Sequence, residues 1–301
     1  MRLRFAADLR ALLWALVLLP GASALAWGYP QRLAWIVPLA LYAGFCAGVL
    51  AHYHNHCPVF RGRRANALYS IWISIFYGYP IFAWIPTHNA NHHKFVNGPG
   101  DATITWRYTK TDTLLAALIY FFVSAYWQAG LIRAFVAEAR ASNARLYRQI
   151  LSQYACVAGV HAGFLALAVH VRGPRLGILT YVCSLGATAA MGLWGMMFIN
   201  YIQHVHCDPS SRWDHSRNFV GPIANWLVFN SGYHTAHHEK AGAHWSTLPA
   251  IHASIAANIH PDLNQPSIAG YLFRTYVLGA FGPRYRPRQI GRPAYDAMAA
   301  A

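Results

Sequence analysis

Nine of the seventeen histidines fall into four groups whose spacing can ring two metal ions: His52 and His56; His88, His92 and His93; His204; and His234, His237 and His238. On a helix, side chains three or four residues apart share a face. His52 and His56 then form a two-nitrogen prong, while HNANHH (88–93) and HTAHH (234–238) form three-nitrogen prongs. Imidazole is the commonest metal ligand and suits iron, copper, zinc and nickel. Because one zinc ion usually takes at most about four protein ligands, nine histidines are too many for a single ion and fit two.

Other donor sets are thin. The chain has only nine carboxylate side chains, and Glu138 and Glu239 are its only glutamates. A carboxylate-bridged di-iron site of the soluble four-helix type, which needs several Glu and paired Glu-x-x-His motifs, cannot be assembled from them. Cys46, Cys57, Cys156, Cys183 and Cys207 are scattered without a C-x-x-C pair, so neither an iron–sulfur cluster nor a thiolate zinc site is indicated. The cysteines read as small hydrophobes rather than as a disulfide framework.

The elements that must hold these histidines are apolar. Hydrophobic residues make up 56% of the chain and charged ones 11%, against about 25% charged in an average soluble domain. A membrane-spanning helix needs about 20 mostly apolar residues, and four segments qualify: 9–27, 33–51, 150–171 and 176–199. The segments 66–86 and 112–128 are also apolar and must be placed by topology. The expected fold is an all-α integral membrane bundle of four, and up to six, transmembrane helices under a histidine-rich cap. The chain reads as a single membrane-embedded domain, 1–301, with a C-terminal tail from about 262 to 301.

Positive charge sets the orientation. Arg2, Arg4 and Arg10 precede the first apolar block, Arg61, Arg63 and Arg64 follow the second, and Arg133, Arg140, Arg145 and Arg148 precede the third. The connections on the other side hold only Arg32, Arg172 and Arg175. The amino terminus, the tail and all four histidine groups are therefore expected on the cytoplasmic side, in bacteria that of the inner membrane. If 66–86 crossed the bilayer, HNANHH would emerge opposite His52 and His56. This segment is thus expected to lie in the interface or to dip and return, in keeping with Gly78, Pro80 and its Trp and Tyr content. The same argument makes 112–128 peripheral or re-entrant. A second reading of the first block, MRLR followed by an apolar run and ASALA (22–26), is a secretory signal peptide.

A net charge of +15 raises nucleic-acid binding, but the arginines flank apolar blocks, where they meet anionic lipid headgroups. No nucleic-acid partner is expected. The basic stretch 134–150 is expected on the cytoplasmic surface, either as a solvated helix or as a place where a redox donor or lipid docks. A metal transporter or sensor is a different class of reading. It would place histidines or acids at mid-membrane depth, whereas here the groups gather at one edge.

HYHNH (52–56), HNANHH (88–93), NYIQH (200–204) and GYHTAHH (232–238) together resemble the histidine boxes of the integral-membrane fatty acid desaturase and alkane hydroxylase superfamily over about residues 33–260. The resemblance implies a non-haem centre of two Fe2+ ions facing the cytoplasm, with O2 as co-substrate. It makes His52, His56, His88, His92, His93, His204, His234, His237 and His238 the iron ligands. Asn200 matches the asparagine that precedes the isolated histidine by four residues in desaturases, where it can hold an iron-bound water. This spacing favours His204 over His206. HNANHH keeps three residues between its first two histidines, where many desaturases have two, and is closer here to alkane hydroxylases. The expected activity is desaturation of a fatty acyl chain. The alternative is hydroxylation of an alkane, lipid or carotenoid, or oxidative decarboxylation of a fatty acid, on the same scaffold.

A ligating imidazole generally gives its other N–H to an acceptor. Asp101, Asp208, Asp214, Glu239 and Asn230 are the candidates, with Asp208 and Asp101 preferred. His54 reads as a neighbour rather than a ligand, and His161 and His170 as packing or interfacial residues. His215, His244, His252 and His260 have no matching spacing, and His244 is the one best placed to touch the site. Met191, Gly192, Trp194, Gly195, Met196 and Met197 either line a tunnel for the lipid substrate or pack helices. The chain lacks an HPGG haem segment, rubredoxin-like cysteine pairs and a G-x-G-x-x-G loop, so electrons must come from an external donor. A ferredoxin-like protein docking with its reductase on the basic face fits that need.

Overall fold

The computed structural model describes residues 2–296. Among them, helix dominates, and four helices are long and apolar enough to cross a membrane, or five if one bent pair counts as a span. They are α1 (Asp8–Gly28), α2 (Pro30–His56), α5 (Leu114–Ser142) and the run Ala144–His204, here α6; the bent pair is α3 (Arg63–Tyr77) and α4 (Ile81–Phe95). The chain packs as two compact units, one of Met1–Ile85 with Ile132–Met196, the other of Pro86–Leu131 with Met197–Ala301.

In the first unit, α1 lies on α2 through Ala22, Ala26, Ile36 and Ala40. Small residues let the two helices approach closely, the usual way to pack helices in lipid, where burial of apolar surface gives no drive. Trp72 Nε1 donates to Ala15 O at 2.8 Å, and Trp14 Nε1 to Tyr42 Oη at 3.1 Å. Run α6 is a hairpin rather than one rod. Gly173 breaks it with φ of 77° ahead of Pro174, a residue pair that cannot continue a helix. The arms then fold together, with His161 Nδ1 and Tyr181 Oη 3.0 Å apart and His161 Nε2 2.8 Å from Ile75 O. These arms carry the expected segments 150–171 and 176–199.

The two segments that sequence left to topology differ from each other. The 66–86 segment is bent by 97° between α3 and α4. Gly78 caps α3 in the left-handed region at φ 80°, a conformation glycine adopts without strain, and Pro80 follows. A break of this kind fits either a broken span or a re-entrant segment. By contrast, residues 114–128 belong to one continuous 29-residue helix, α5, that is long and apolar enough to span. No proline interrupts it, so the helix runs on through the first part of the basic stretch 134–150 and stops at Asn143, whose side chain caps the next helix by accepting from Leu146 N at 3.0 Å.

The second unit has its own core of Cys207, Ala236, Ile255, Ile259 and Leu263, packed against Trp213, Tyr233, Ile251 and Ile290. Ala236 lies in the short helix α7 (His234–Glu239), so this core fixes the back of the third histidine box. A two-stranded parallel pair joins β1 (Asn218–Phe219) to β2 (Asn264–Gln265). The segment expected as a tail is built into this unit. It contributes β2, a helical stretch from Ile268 to Val277 and a backbone bond from Ile290 N to His206 O at 3.0 Å. Residues 297–301 of that expected tail lie outside the described residues.

Gly44 and Gly48 of α2 face the second arm of α6. A Cβ on Gly44 would sit 2.0 Å from the backbone oxygen of Thr188, whereas one on Gly48 would meet the Met196 side chain at 2.3 Å. A Cβ on Gly192 would lie 3.1 Å from the backbone oxygen of Tyr77 and 3.2 Å from that of Gly44, so this glycine too sits in a tight helix contact. Gly44→Ala is expected to destabilise by about 1–3 kcal/mol, the usual range for overpacking. Gly48→Ala should cost less, because a thioether side chain can move. Thermal melts of both variants in detergent check this ordering.

Candidate metal centre

Box two is not an α-helix. Ile85–His92 winds as a π-helix, and His93–Phe95 closes it with an α-helical turn. Hydrogen bonds to the fifth rather than the fourth residue widen the turn, a distortion common at functional sites. This winding brings His88 and His93, five apart, to an Nε2–Nε2 distance of 3.0 Å.

The three-histidine prongs do not stay together. His93 Nε2 also lies 3.1 Å from His237 Nε2, so one group takes His88 and His93 from box two and His237 from box three. The other group joins His92, His204, His234 and His238. Its Nε2 atoms stand 3.1 Å apart for His92 and His204, 2.8 Å for His204 and His234, and 3.1 Å for His234 and His238. All four ligand atoms fall within 4.8 Å of one another. Adjacent histidines thus serve opposite groups, since neighbours on a helix point in different directions. In the first unit, His52 and His56 form their own prong at the end of α2, with ring centroids 4.9 Å apart, and His52 stacks on Trp84 at 5.2 Å.

The proton positions follow from the acceptors. His204 Nδ1 lies 3.0 Å from the backbone oxygen of His215. A carbonyl only accepts, so Nδ1 holds the proton and Nε2 presents a bare lone pair. His92 Nδ1 lies 2.8 Å from Asp101 Oδ2. Asp101 also accepts from Asn97 N at 2.7 Å, Thr103 N at 2.7 Å and the Thr103 hydroxyl at 2.6 Å. Burial pushes the Asp101 carboxyl up, but the charge of His92 and these hydrogen bonds outweigh it and hold the group below its ordinary range. An ionised Asp101 makes His92 Nδ1 a donor, so a neutral His92 presents a bare Nε2 as well. Two lone pairs 3.1 Å apart repel, and a shared cation converts the repulsion into binding.

Protonation is a poor source of that cation at His238 and at His215 beside the group. Burial, then the neighbouring imidazoles His93 and His234, lower the affinity of His238 for a proton. Burial, then His92, lower that of His215 to about 4. A metal ion fits the donor set better. At a metal–nitrogen distance of about 2.1 Å, ligands at right angles stand about 3.0 Å apart and tetrahedral ligands about 3.4 Å. The observed 2.8–3.1 Å spacings are of the size that donors sharing one metal ion would show.

The remaining candidates sit as follows. Asn200 lies one turn before His204, and its Nδ2 donates to Tyr120 Oη at 3.0 Å. Asp208 reaches no histidine of the groups; its carboxylate accepts from Ser210 N at 2.9 Å and Arg292 N at 3.0 Å, because a turn of backbone N–H groups surrounds it. Asp214 accepts from His260 N, Asn230 donates to Trp245 O, and Glu239 pairs with Arg212. His54 Nδ1 accepts from Val59 N at 3.3 Å. His206 belongs to neither group. His244 bonds Ser246 Oγ at 2.8 Å, while His215 supplies the carbonyl for His204 and its ring lies 5.1 Å from that of His238, tilted at 58°.

Sequence reasoning missed this backbone carbonyl, since no residue type announces it. It also missed Asn97, which sits in the left-handed region at φ 63°, holds Asp101 through its N–H and donates from Nδ2 to His204 O at 3.2 Å. The run NGPGDAT that follows box two was the available signal. Asp101→Asn keeps the shape of the acceptor but removes its charge. Outer partners of this kind are worth about 10–100-fold in metal affinity. Asp101→Asn should lose metal from the His92 group by that order, and Asp208→Asn should not, as metal analysis after graded chelation would register.

No curated protein matches the chain. Residues 30–266, which include every histidine of both groups and the His52–His56 prong, match the family described as fatty acid desaturase. A helical chain with four candidate membrane-spanning helices, histidine clusters able to hold metal ions, and a family match over most of its length is a member of the fatty acid desaturase family.

Proposed function

We propose that the protein is an O2-dependent di-iron oxidoreductase of the membrane that introduces a double bond into a fatty acyl chain. The observation that carries this reading is the convergence of bare imidazole nitrogens, built by boxes of the desaturase family, into metal-sized groups. In this reading His92, His204, His234 and His238 hold one iron. His88, His93 and His237 belong to the other, and the resemblance of HYHNH to a family histidine box makes His52 and His56 iron ligands as well. An imidazole donor set suits iron. The site faces the cytoplasm, where the arginine-rich connections lie.

When bound, the iron pair supplies the two-electron reduction of O2 that removes hydrogen from an unactivated methylene. The overall balance is one alkyl chain, one O2, two electrons and two protons giving one alkene and two waters. The chain itself contributes orientation. Asp101 and the His215 carbonyl fix the tautomers of His92 and His204, and burial keeps His238 neutral and available as a ligand. The two electrons come from an external carrier of the ferredoxin class, drawn to the basic surface. The acyl substrate enters from the bilayer. The spacing of HNANHH favours a second reading, transfer of one oxygen atom to the chain to give an alcohol.

Co-expression with a ferredoxin and its reductase, followed by mass spectrometry of lipid extracts against a His234→Ala control, separates these readings. Desaturation removes two hydrogens from the product lipid, and hydroxylation adds one oxygen. Purified protein should bind two irons per chain, and His237→Ala should lose iron together with O2 consumption. Tightly held zinc or copper with no O2 consumption would refute the oxidase reading.

A further inference from the structure

The second unit contains a hydrogen-bond chain in which the direction of every proton is determined, and it ends on Asn200. Tyr120, buried on α5, donates its phenol proton to the backbone oxygen of Thr103. A carbonyl has no proton to return, so the phenol oxygen is left as an acceptor. It accepts from Asn200 Nδ2 at 3.0 Å. Turning the Asn200 amide over would set its carbonyl oxygen against the phenol lone pairs. Such amide orientations are settled by the surrounding network, and here the network allows one. Oδ1 is therefore the Asn200 atom left to accept a further bond, and Asn200 lies on the face of α6 that carries His204 one turn later.

The far end of the chain is anchored too. The Thr103 hydroxyl donates to Asp101 Oδ1 at 2.6 Å and lies 3.0 Å from His92 Nδ1. The residue that receives the phenol proton is thus tied to the carboxylate that orients His92. Tyr120 connects the two sides of the four-histidine group, His92 through Thr103 and His204 through Asn200. We propose that Tyr120 is a positioning residue that fixes the Asn200 amide so that Oδ1 accepts a hydrogen bond from a water at the metal held by His92, His204, His234 and His238. This inference rests on the di-iron reading above.

The test compares wild type, Tyr120→Phe, Asn200→Leu and the double variant after loading with iron-57. Iron per chain, the ferrous Mössbauer spectrum and turnover are measured on each. Tyr120→Phe should keep two irons, alter the signal of one of them as Asn200→Leu does, and lower turnover about tenfold, the effect of one hydrogen bond of ordinary strength. The double variant should be no worse than Asn200→Leu alone, because Tyr120 acts through Asn200. A Tyr120→Phe spectrum identical to wild type, or effects that multiply in the double variant, would overturn the proposal. If the phenylalanine variant does not fold, 3-fluorotyrosine at position 120 keeps ring and hydroxyl. Its phenol donates more strongly and accepts less well, so the same iron signal should shift, and an unshifted signal overturns the proposal. A wild-type protein that binds no iron and consumes no O2 would instead remove the functional reading itself.

Discussion

Bare imidazole lone pairs packed against one another are the constraint on which the second unit depends. Neutral histidines whose Nδ1 protons are already committed have nothing to donate across a gap of 3.1 Å. Forcing them together in a buried site costs free energy until a cation enters. The fold must therefore supply enough packing and hydrogen bonding to hold the group in place, and it does so by fixing backbone around each ligand.

Those supports converge from several elements. The end of the helix that carries His204 would leave its last carbonyls unpaired. Arg217, fully buried, donates its guanidinium to Ile202 O and Val205 O and its backbone N–H to Gln203 O, while Asn97 takes His204 O. A cation at a helix carboxyl end is also favoured by the helix dipole. The Arg217 guanidinium lies 4.7 Å over the Tyr271 ring, so the helical stretch after β2 closes over the same point. On the other flank, Ser216 and Asn218 bond Thr235 of α7. Residues 215–218 thus brace His204 on one side and the third box on the other.

Much of the site was legible because ligand chemistry is written in residue type. The nine histidines, the shortage of glutamate and the apolar blocks needed no coordinates, and Asp101 was visible as one of very few acids near a box. Other assignments depended on geometry that sequence does not carry. Asp208 looked equivalent to Asp101, yet backbone N–H groups of a turn and of residue 292 occupy it. His215 carried no spacing signal because its contribution is a main-chain oxygen. The 112–128 segment was judged by charge topology, which says where arginines end up but not whether a helix is interrupted.

The sequence by itself carried the candidate donor residues, the apolar blocks and the resemblance to the family, since these are read from residue type and order along the chain. Tertiary structure decided how the donors are shared. A helical wheel groups His88, His92 and His93 on one prong, but the π winding and the approach of α7 send His92 to one group and His88 and His93 to the other. Tertiary structure also decided the protons, because the tautomer of His92 or His204 and the orientation of Asn200 depend on which acceptor stands opposite. That is a property of three-dimensional neighbours: a carboxylate, a carbonyl and a phenol brought together from residues far apart in the chain.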